Sequence, residues 1–527
     1  MLDGRQKEED EMNITLISAD DEIWASGMRS ISSTLREAGH VTTMIFAGAA
    51  EVSVDSSVMA GIVSLAGDSE IIGISSMSRG SSRAKALLQG LRPLGKLLVW
   101  GGMHPTIYPE ECTAHADLVC CGEGEGFMLD LVERVASGRG ITDILNGAYL
   151  LNDRVVMNEL RPLIADLDTL PFPDYAFQNE YRLDKTGHLT PHLEMKDAER
   201  PLFSGSRGCN YNCTYCSNSQ LKTLYKGHGR YARKMSVTAA VTALKNYCRI
   251  FPKVKTFYFT DEDFFARHRD EMAEFADRYG REIGLPFMAM ASPRDVTEEK
   301  MALAVKAGLW KIDVGLESGS ERTRREIFNR HIDDATQIRA ALTISKHKRV
   351  IVSYFLILGN PYEERQDLLE SIRFLRKMPT PFFLRAYNLV FIPGTKLFNR
   401  ACRDGTIHGL SDSACEIDFL AGFRHEGFAW KRKNLYLNSL TSMMVGKSTV
   451  MRMGYLPRVL IPVLTGKRMI AFCESHPRIG ESIMALSNLG LRMRRAAAIL
   501  AGRLLPDYRI VYDLKGYWKR LMPSHTP

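Results

Sequence analysis

The chain has 527 residues, 45% of them hydrophobic and 25% charged. At roughly 100 to 200 residues per domain, that length and apolar content describe a globular protein of roughly two to four domains and exclude a disordered one. The formal charge of +8 sits in the tail: residues 421–527 carry 18 Lys and Arg against 5 Asp and Glu, a net of +13 that leaves −5 for residues 1–420.

The opening stretch MLDGRQKEEDEMN is charged and has no apolar segment or cleavage site, so residues 1–12 are expected to form a disordered extension. No apolar run approaches the length of about 20 residues that spans a bilayer. A cytoplasmic location with reduced thiols is therefore expected. The segment Asn13 to Ala19 (NITLISA) reads as a short apolar strand, and Gly27 to His40 has helical spacing of Met28, Ile31, Leu35 and Ala38 before the stop at Gly39. SEIIGISSM, SSRAKALLQGLRPLG, KLLVWGG and ADLVCCGEGE follow as strand, helix, strand, and strand into turn. Apolar strands alternating with helices imply an α/β fold, a doubly wound parallel sheet over residues 13–150. Ligands of such sheets lie beyond the carboxyl ends of the strands. Here those ends are Ser75 and Ser76, Gly101 and Gly102 of GGMHPT, and Gly122, Glu123 and Gly124 of GEGE. The proline-rich stretch LRPLIADLDTLPFPDY lies in a linker over residues 151–195.

A second βα series occupies residues 196–420. Strands are expected at LFSGS, VKTFYFT, PFMAM, KIDVGLES, VIVSYFLILG and AYNLVFIPG, the last beginning at residue 386. Six strands in about 200 residues suit an open or partial β/α barrel with its active site at the C-terminal strand ends. Directly after the first of these strands stands RGCNYNCTYCSNSQ, with Cys209, Cys213 and Cys216 in the spacing Cys-x3-Cys-x2-Cys. Soft thiolates on one tight loop select zinc or an iron-sulfur cluster. A structural zinc and an ordinary 4Fe-4S cluster each take four protein ligands, and the next cysteine is Cys248. Spacing alone leaves three readings: a cluster with one open iron, a zinc completed by His228, or inert thiols.

The pattern, with Tyr215 before the last cysteine, resembles the signature of radical S-adenosylmethionine (SAM) enzymes. FTDEDFF (Asp261, Glu262, Asp263), VGLESGSE (Glu317, Ser318), LILGNPYEE and FIPGTKLF are similar to that family's later strand motifs and occur in the same order. VWGGMHPTIYPEECTAHADLVCCGEGE and DLDTLPFPDY resemble the cobalamin-binding half of the cobalamin-dependent class, so the likeness spans about Asn13 to Phe398. It implies a Rossmann-like cobalamin domain followed by a partial (β/α)6 TIM-like barrel.

The resemblance further implies that Cys209, Cys213 and Cys216 ligate three irons of a 4Fe-4S cluster while SAM chelates the fourth. Tyr215, Asp261, Glu262, Asp263, Glu317 and Ser318 would face SAM, and Ser75, Ser76, Gly101, Gly102, Gly122, Glu123 and Gly124 would face cobalamin. The Asp-x-His-x-x-Gly motif that supplies an axial histidine in many corrinoid proteins is absent, and His104 does not fit it. No protein histidine is therefore expected on cobalt. Arg207 is read either as a balance to thiolate charge or as a solvated side chain.

The implied reaction is methylation of an unactivated carbon: one SAM methylates the corrinoid, and a second yields a 5′-deoxyadenosyl radical that removes a substrate hydrogen. Ring formation or oxidation without methyl transfer, and a non-catalytic corrinoid sensor or carrier, are the alternatives. The expected partners are a small-molecule or lipid-like substrate and an electron donor such as flavodoxin or ferredoxin. The basic, mainly helical region 421–527 reads as a cap on the barrel or as a peripheral membrane contact. It lacks the alternation of aromatic and basic residues of a nucleic-acid surface, so no nucleic acid is expected.

Overall fold

A computed structural model of the chain describes residues 11–20, 22–48, 53–380, 382–410, 435–443 and 461–476. Two sheets organise it. The first has nine strands: β1 (Asn13–Ser18), β2 (Val41–Phe46), β3 (Ile71–Ser75), β4 (Leu97–Gly101), β5 (Leu118–Cys120), β6 (Gly147–Leu151), β7 (Arg154–Met157), β8 (Glu180–Leu183) and β9 (Leu189–Pro191). Their order is β7-β6-β5-β4-β3-β1-β2-β8-β9. From β5 to β8 the pairing is parallel, and β6, β7 and β9 add antiparallel edges. The central strands are apolar on both faces because helices cover both sides, as a parallel sheet requires. Ile17, Ile45, Ile72 and Ile74 pack on one side and Ile14, Leu16, Met44 and Ile71 on the other.

The expected N-terminal extension ends one residue too late: Met12 is buried, and its carbonyl accepts from Val41 N, because the apolar face of β1 extends back to it. Residues 1–10 lie outside the described residues. Strand β2 and the helix Ser56–Ala66 were not expected.

The segment 151–195 expected to be a linker supplies β7, β8 and β9 to the first sheet. Strand β8 pairs with β2, and behind it Arg29, on the helix Ser26–Glu37, is wholly buried against Glu180 of β8. Its guanidinium donates to Glu180 Oε1 at 2.6 Å and Oε2 at 2.9 Å, and to the carbonyls of Asp174, Trp24 and Ile23 at 2.7, 3.0 and 3.1 Å. His192 Nδ1 lies 2.8 Å from Glu180 Oε1.

The second sheet has β10 (Leu202–Phe203), β13 (Phe257–Phe259), β14 (Phe287–Ala291), β15 (Leu309–Glu317), β16 (Ile351–Leu358) and β17 (Phe383–Asn388), all parallel and in that order. Helices cover its outer face over a core of Ile312, Val314, Leu316, Tyr354 and Leu384. Strands β10 and β17 are its two edges, so the barrel is open. A hairpin of β11 (Ser206–Arg207) and β12 (Arg233–Lys234) frames the cysteine loop. The last strand begins at Phe383, three residues before the expected start.

In the basic tail, helices Leu435–Met443 and Lys467–Ser475 pack against the barrel helix Arg365–Lys377 through Tyr436, Leu437, Ile470, Leu368 and Ile372. No helix among the described residues is long and apolar enough to cross a membrane. Residues 411–434, 444–460 and 477–527 lie outside the described residues.

Polar contacts at three points join the two sheets where the strand ends meet. Glu123, in the turn after β5, accepts from Arg207 at 3.1 Å, from Arg233 at 2.8 Å and from Ile164 N at 3.0 Å. Arg207 also reaches Glu125 at 2.5 Å, and the Tyr225 hydroxyl accepts from Glu123 N at 3.0 Å. The two arginines hold the half-buried Glu123 carboxyl below the usual range although burial alone would raise it.

Breaking a buried ion pair by removing one partner costs about 3–5 kcal/mol. Glu180→Gln is expected to lower stability by that order, read as a fall in the urea midpoint. Gly122 stands at φ +111°, and a Cβ there would lie 1.7 Å from the Tyr225 hydroxyl. Gly122→Ala is expected to cost about 1–3 kcal/mol in backbone strain and to speed hydrogen exchange in the helix Ser217–Leu224, which carries Tyr225 at its end.

Candidate active site

The cysteine loop runs from β11 to the helix Ser217–Leu224. Gly208 turns it at φ +79°, where any Cβ would meet the Tyr231 carbonyl at 2.4 Å. The rest of the loop is bonded residue by residue to the segment after β15. Asn329 Nδ2 donates to Asn212 O at 2.9 Å, Thr214 N donates to Phe328 O at 3.0 Å, and Arg330 Nη1 stands 3.7 Å from Cys213 Sγ. A π-helical turn, Thr323–Ile327, sets this segment in place; such turns are frequent at functional sites.

Cys213 is buried, while Cys209 and Cys216 are half-buried. Burial pushes the Cys209 thiol up to about 11 and Cys216 to about 12, and the charge of Glu262 adds to both. Without a cation the two thiols are therefore protonated, and a metal must displace those protons to bind. Among the described residues no three His, Cys, Asp or Glu side chains close on a single ion, so a lone zinc has no ready donor set. His228 is tied by its backbone to Leu163 and Tyr225. Thiolates of a cluster bind separate corner irons and need not meet at one point, so the loop suits a cluster better than zinc. The Arg330 cation beside Cys213 suits a group that brings thiolate charge into the interior, and its buried Nε has no hydrogen-bond partner among the described residues.

Around the loop the expected SAM-facing residues separate into two sets. Tyr215 packs edge-on against Phe328 with ring centroids 4.8 Å apart, and its hydroxyl hydrogen-bonds Glu317. Glu317 takes a left-handed backbone, φ +67°, at the bulge that ends β15. Its side chain folds back over Gly315, where a Cβ would lie 2.3 Å from Oε1. Burial raises the Glu317 carboxyl, with Arg330 and Tyr215 opposing. Glu262 and Asp263 line a cavity of about 260 Å³ with Cys209, Lys234 and Arg267. Burial and the neighbouring Asp295 hold the Asp263 carboxyl well above the carboxylate range.

Two expected residues serve the scaffold. Asp261 is buried on Arg267 at 3.2 Å and accepts from Gly205 N, and the Ser318 hydroxyl donates to Glu363 at 3.1 Å. Arg330, Asn218, Tyr211 and Asp295 join the site without having been singled out, since no motif spacing marks them. Asn218 Nδ2 lies 3.9 Å from Cys216 Sγ, and the Tyr211 hydroxyl donates to Asp295.

At the first sheet, a slot of about 60 Å³ opens between the strand ends and the helices Ser26–Glu37 and Glu125–Ala136. Ser75, Gly101, Gly102 and Gly124 line it with Leu16, Met28, Ile31, Val99 and Met128. Apolar walls with glycine backbone at the mouth fit the flat, apolar base that ends a cobalamin tail. The other expected contacts lie elsewhere. Ser76 is buried and accepts from Trp100 Nε1 at 2.9 Å, while Gly122 and Glu123 lie at the seam with the barrel. Arg207 answers Glu123 and Glu125, so neither reading of it as a thiolate counter-charge or a solvated side chain holds. His104 is wholly buried between Ser78 Oγ at 3.2 Å and Glu111 Oε2 at 3.3 Å. The contact with His104, joined by Lys85 against the effect of burial, lowers the Glu111 carboxyl to about 2. Cys120 and Cys121 face opposite sides of their strand, into separate cores.

Residues 203–375 match the model of the Radical SAM superfamily, and residues 12–132 match the B12 binding domain. The chain is 29% identical over 345 residues to an uncharacterized methyltransferase of Pyrococcus horikoshii, a match that covers 63% of this chain and 70% of that protein. It is 23% identical over 411 residues to the bacteriochlorophyllide d C-8(2)-methyltransferase of Chlorobaculum tepidum, covering 76% and 83%. The solved structure of the radical S-adenosylmethionine methyltransferase TsrM from Kitasatospora setae, with cobalamin and a [4Fe-4S] cluster bound, superposes with a TM-score of 0.61 at 11% identity over 92% of this chain and 100% of that one. With both domains matched in one chain, in the order and fold of that class, the protein belongs to the cobalamin-dependent radical SAM enzymes.

Proposed function

We propose that the protein is a C-methyltransferase acting on an unactivated carbon of a small-molecule or lipid-like substrate. The observation that carries this reading is the seam. The cysteine loop and the turn above the apolar slot are fastened to each other by Glu123, Arg207, Arg233 and Tyr225, so two cofactor sites face each other across one interface. Methylation in the bacteriochlorophyllide relative supports methyl transfer.

In this reading Cys209, Cys213 and Cys216 hold three irons of a 4Fe-4S cluster and leave the fourth for SAM. Bound there, the cluster and the corrinoid supply reductive cleavage of SAM and carriage of a methyl group. The chain's own part is placement. Arg330 balances the thiolate charge at Cys213, and Tyr215 with Glu317 presents a carboxyl and a ring to SAM. Glu262 and Asp263, which line the cavity with Cys209, would offer acceptors to SAM there. Ser75, Gly101, Gly102 and Gly124 let the corrinoid tail into the slot, and His104, locked between Ser78 and Glu111, stays off the metal. The working units are the first sheet, which takes in β7, β8 and β9 from the expected joining segment 151–195, for the corrinoid, and the second sheet with its helices for SAM. A reduced flavodoxin or ferredoxin would donate the electron, and any peripheral membrane contact belongs to the basic tail.

Purified without oxygen and reconstituted with iron, sulfide and hydroxocobalamin, the chain is expected to hold about four irons and about one corrinoid. After reduction with SAM it is expected to form 5′-deoxyadenosine and S-adenosylhomocysteine together. Formation of 5′-deoxyadenosine alone would point to ring formation or oxidation, and no SAM cleavage at all would leave a carrier. Cys213→Ala is expected to lose iron and all 5′-deoxyadenosine while retaining corrinoid, which absorption spectra would show.

A further inference from the structure

The inner face of the barrel carries charges that the mechanism above does not use. Side chains alternate across a strand, and register fixes which of them look inward. Val314, Leu316, Tyr354 and Leu384 pack outward against the helices. Their neighbours therefore face the interior: Lys311, Asp313 and Gly315 on β15, Phe355 on β16, Arg385 and Tyr387 on β17. Gly315, Phe355 and Arg385 lie in one register row, and Ile357 and Tyr387 form the next row toward the C-terminal ends. Because of the bulge that ends β15, Glu317 is level with Leu356 and Ala386, so Arg385 sits one row, about 3.3 Å, below the level of Glu317 on the open edge strand.

The charges on this face do not cancel. Lys311 is committed to Asp313 at 2.9 Å, and Asp313 also accepts from the Tyr258 hydroxyl at 3.1 Å. Arg385 is exposed, rests over the Phe355 ring at 5.7 Å from its centroid, and has no carboxylate partner among the described residues. Tyr387 stands against the same ring with centroids 5.7 Å apart. Burial, the largest cause, lowers Lys311 and raises Tyr258, and the positive charge of Arg385 acts to lower both. An unpaired guanidinium over an aromatic face, beside an ion pair already closed, is a receptor for a planar oxyanion. Its fork matches a carboxylate in two parallel hydrogen bonds, and Phe355 and Tyr387 offer ring surface to what carries it.

We propose that Arg385, with Phe355 and Tyr387, binds a carboxylate carried on a flat unsaturated body, and that this contact fixes which substrate carbon is presented at the C-terminal ends of the strands. The assignment rests on the methyltransferase reading for its purpose, and names the substrate class. Anchoring one end of a substrate one register row below the level of Glu317 turns a choice among several carbons into a choice of one.

The test is equilibrium binding by calorimetry to the reconstituted full chain, with neither SAM nor reductant, so failure of methyl transfer and failure of this site are told apart. The probes are naphthoate, its neutral counterpart naphthamide, and inorganic phosphate. Wild type is expected to bind naphthoate about tenfold more tightly than naphthamide, a difference of about 1.4 kcal/mol. Arg385→Gln should abolish that preference, Arg385→Lys should restore part of it, and Arg373→Gln, on the outer helix, should leave it intact. Circular dichroism melts matching wild type would show that the variants are folded. Equal binding of the two naphthyl probes to wild type, a preference that survives in Arg385→Gln, tighter binding of phosphate than of naphthoate, or no binding of any probe would each overturn the assignment.

Discussion

A single carboxylate, Glu123, sets the distance between the two halves of this enzyme. It stands in the turn after β5 and accepts from Arg207 and Arg233, the two strands of the hairpin that frames the cysteine loop. Arg207 precedes Cys209 by two residues, so the first cluster position and the turn above the corrinoid slot share one rigid connection. Tyr225 adds a second at the end of the cluster helix, through Glu123 N. Radical transfer between two cofactors and one substrate depends on distances held to a fraction of an ångström. An ion-paired, partly buried seam meets that demand better than a flexible tether.

The seam works because each half is rigid on its own account. On the corrinoid side, Arg29 spends its donors on Glu180 and three backbone carbonyls, which converts a proline-rich crossing into part of the sheet. A lone buried charge would be very costly, and the full set of partners makes this one tolerable. On the barrel side, residues 327–330 grip the cysteine loop at Asn212, Cys213 and Thr214, so three thiols stay poised before any iron arrives.

Much of this was legible in the residues. The parallel strands read as unbroken apolar runs, because burial on both faces leaves no polar alternation, and β1, β3, β4, β14, β15 and β16 stand where such runs predict. Strand β2 escaped because two threonines after Val41 break the apolar run of VTTMIF. Strand β17 was started late because Arg385 interrupts FLRAYN, and the same residue then proved to rest over Phe355 on the inner face. The cysteine spacing pointed to its chemistry without any structure. Glu123 carried the opposite lesson: a glycine-rich turn suggested a cofactor contact, and its real partners lie 84 and 110 positions away, a relation no local pattern encodes. Arg330 was invisible for the same reason.

The open edge between β10 and β17 gives the fold a property that a closed tube would lack. Eight strands that meet enclose a fixed bore, and a guest must be smaller than it. Six strands that do not meet form a trough. A bulky guest can lay one atom against the reactive end while most of its mass remains outside, and its size is limited by whatever lies across the gap rather than by the strands. Divergence among such enzymes in what they accept therefore needs no change in the sheet itself. It needs only a different covering over the same trough, which leaves the placement of the cysteine loop and the seam undisturbed while the guest changes.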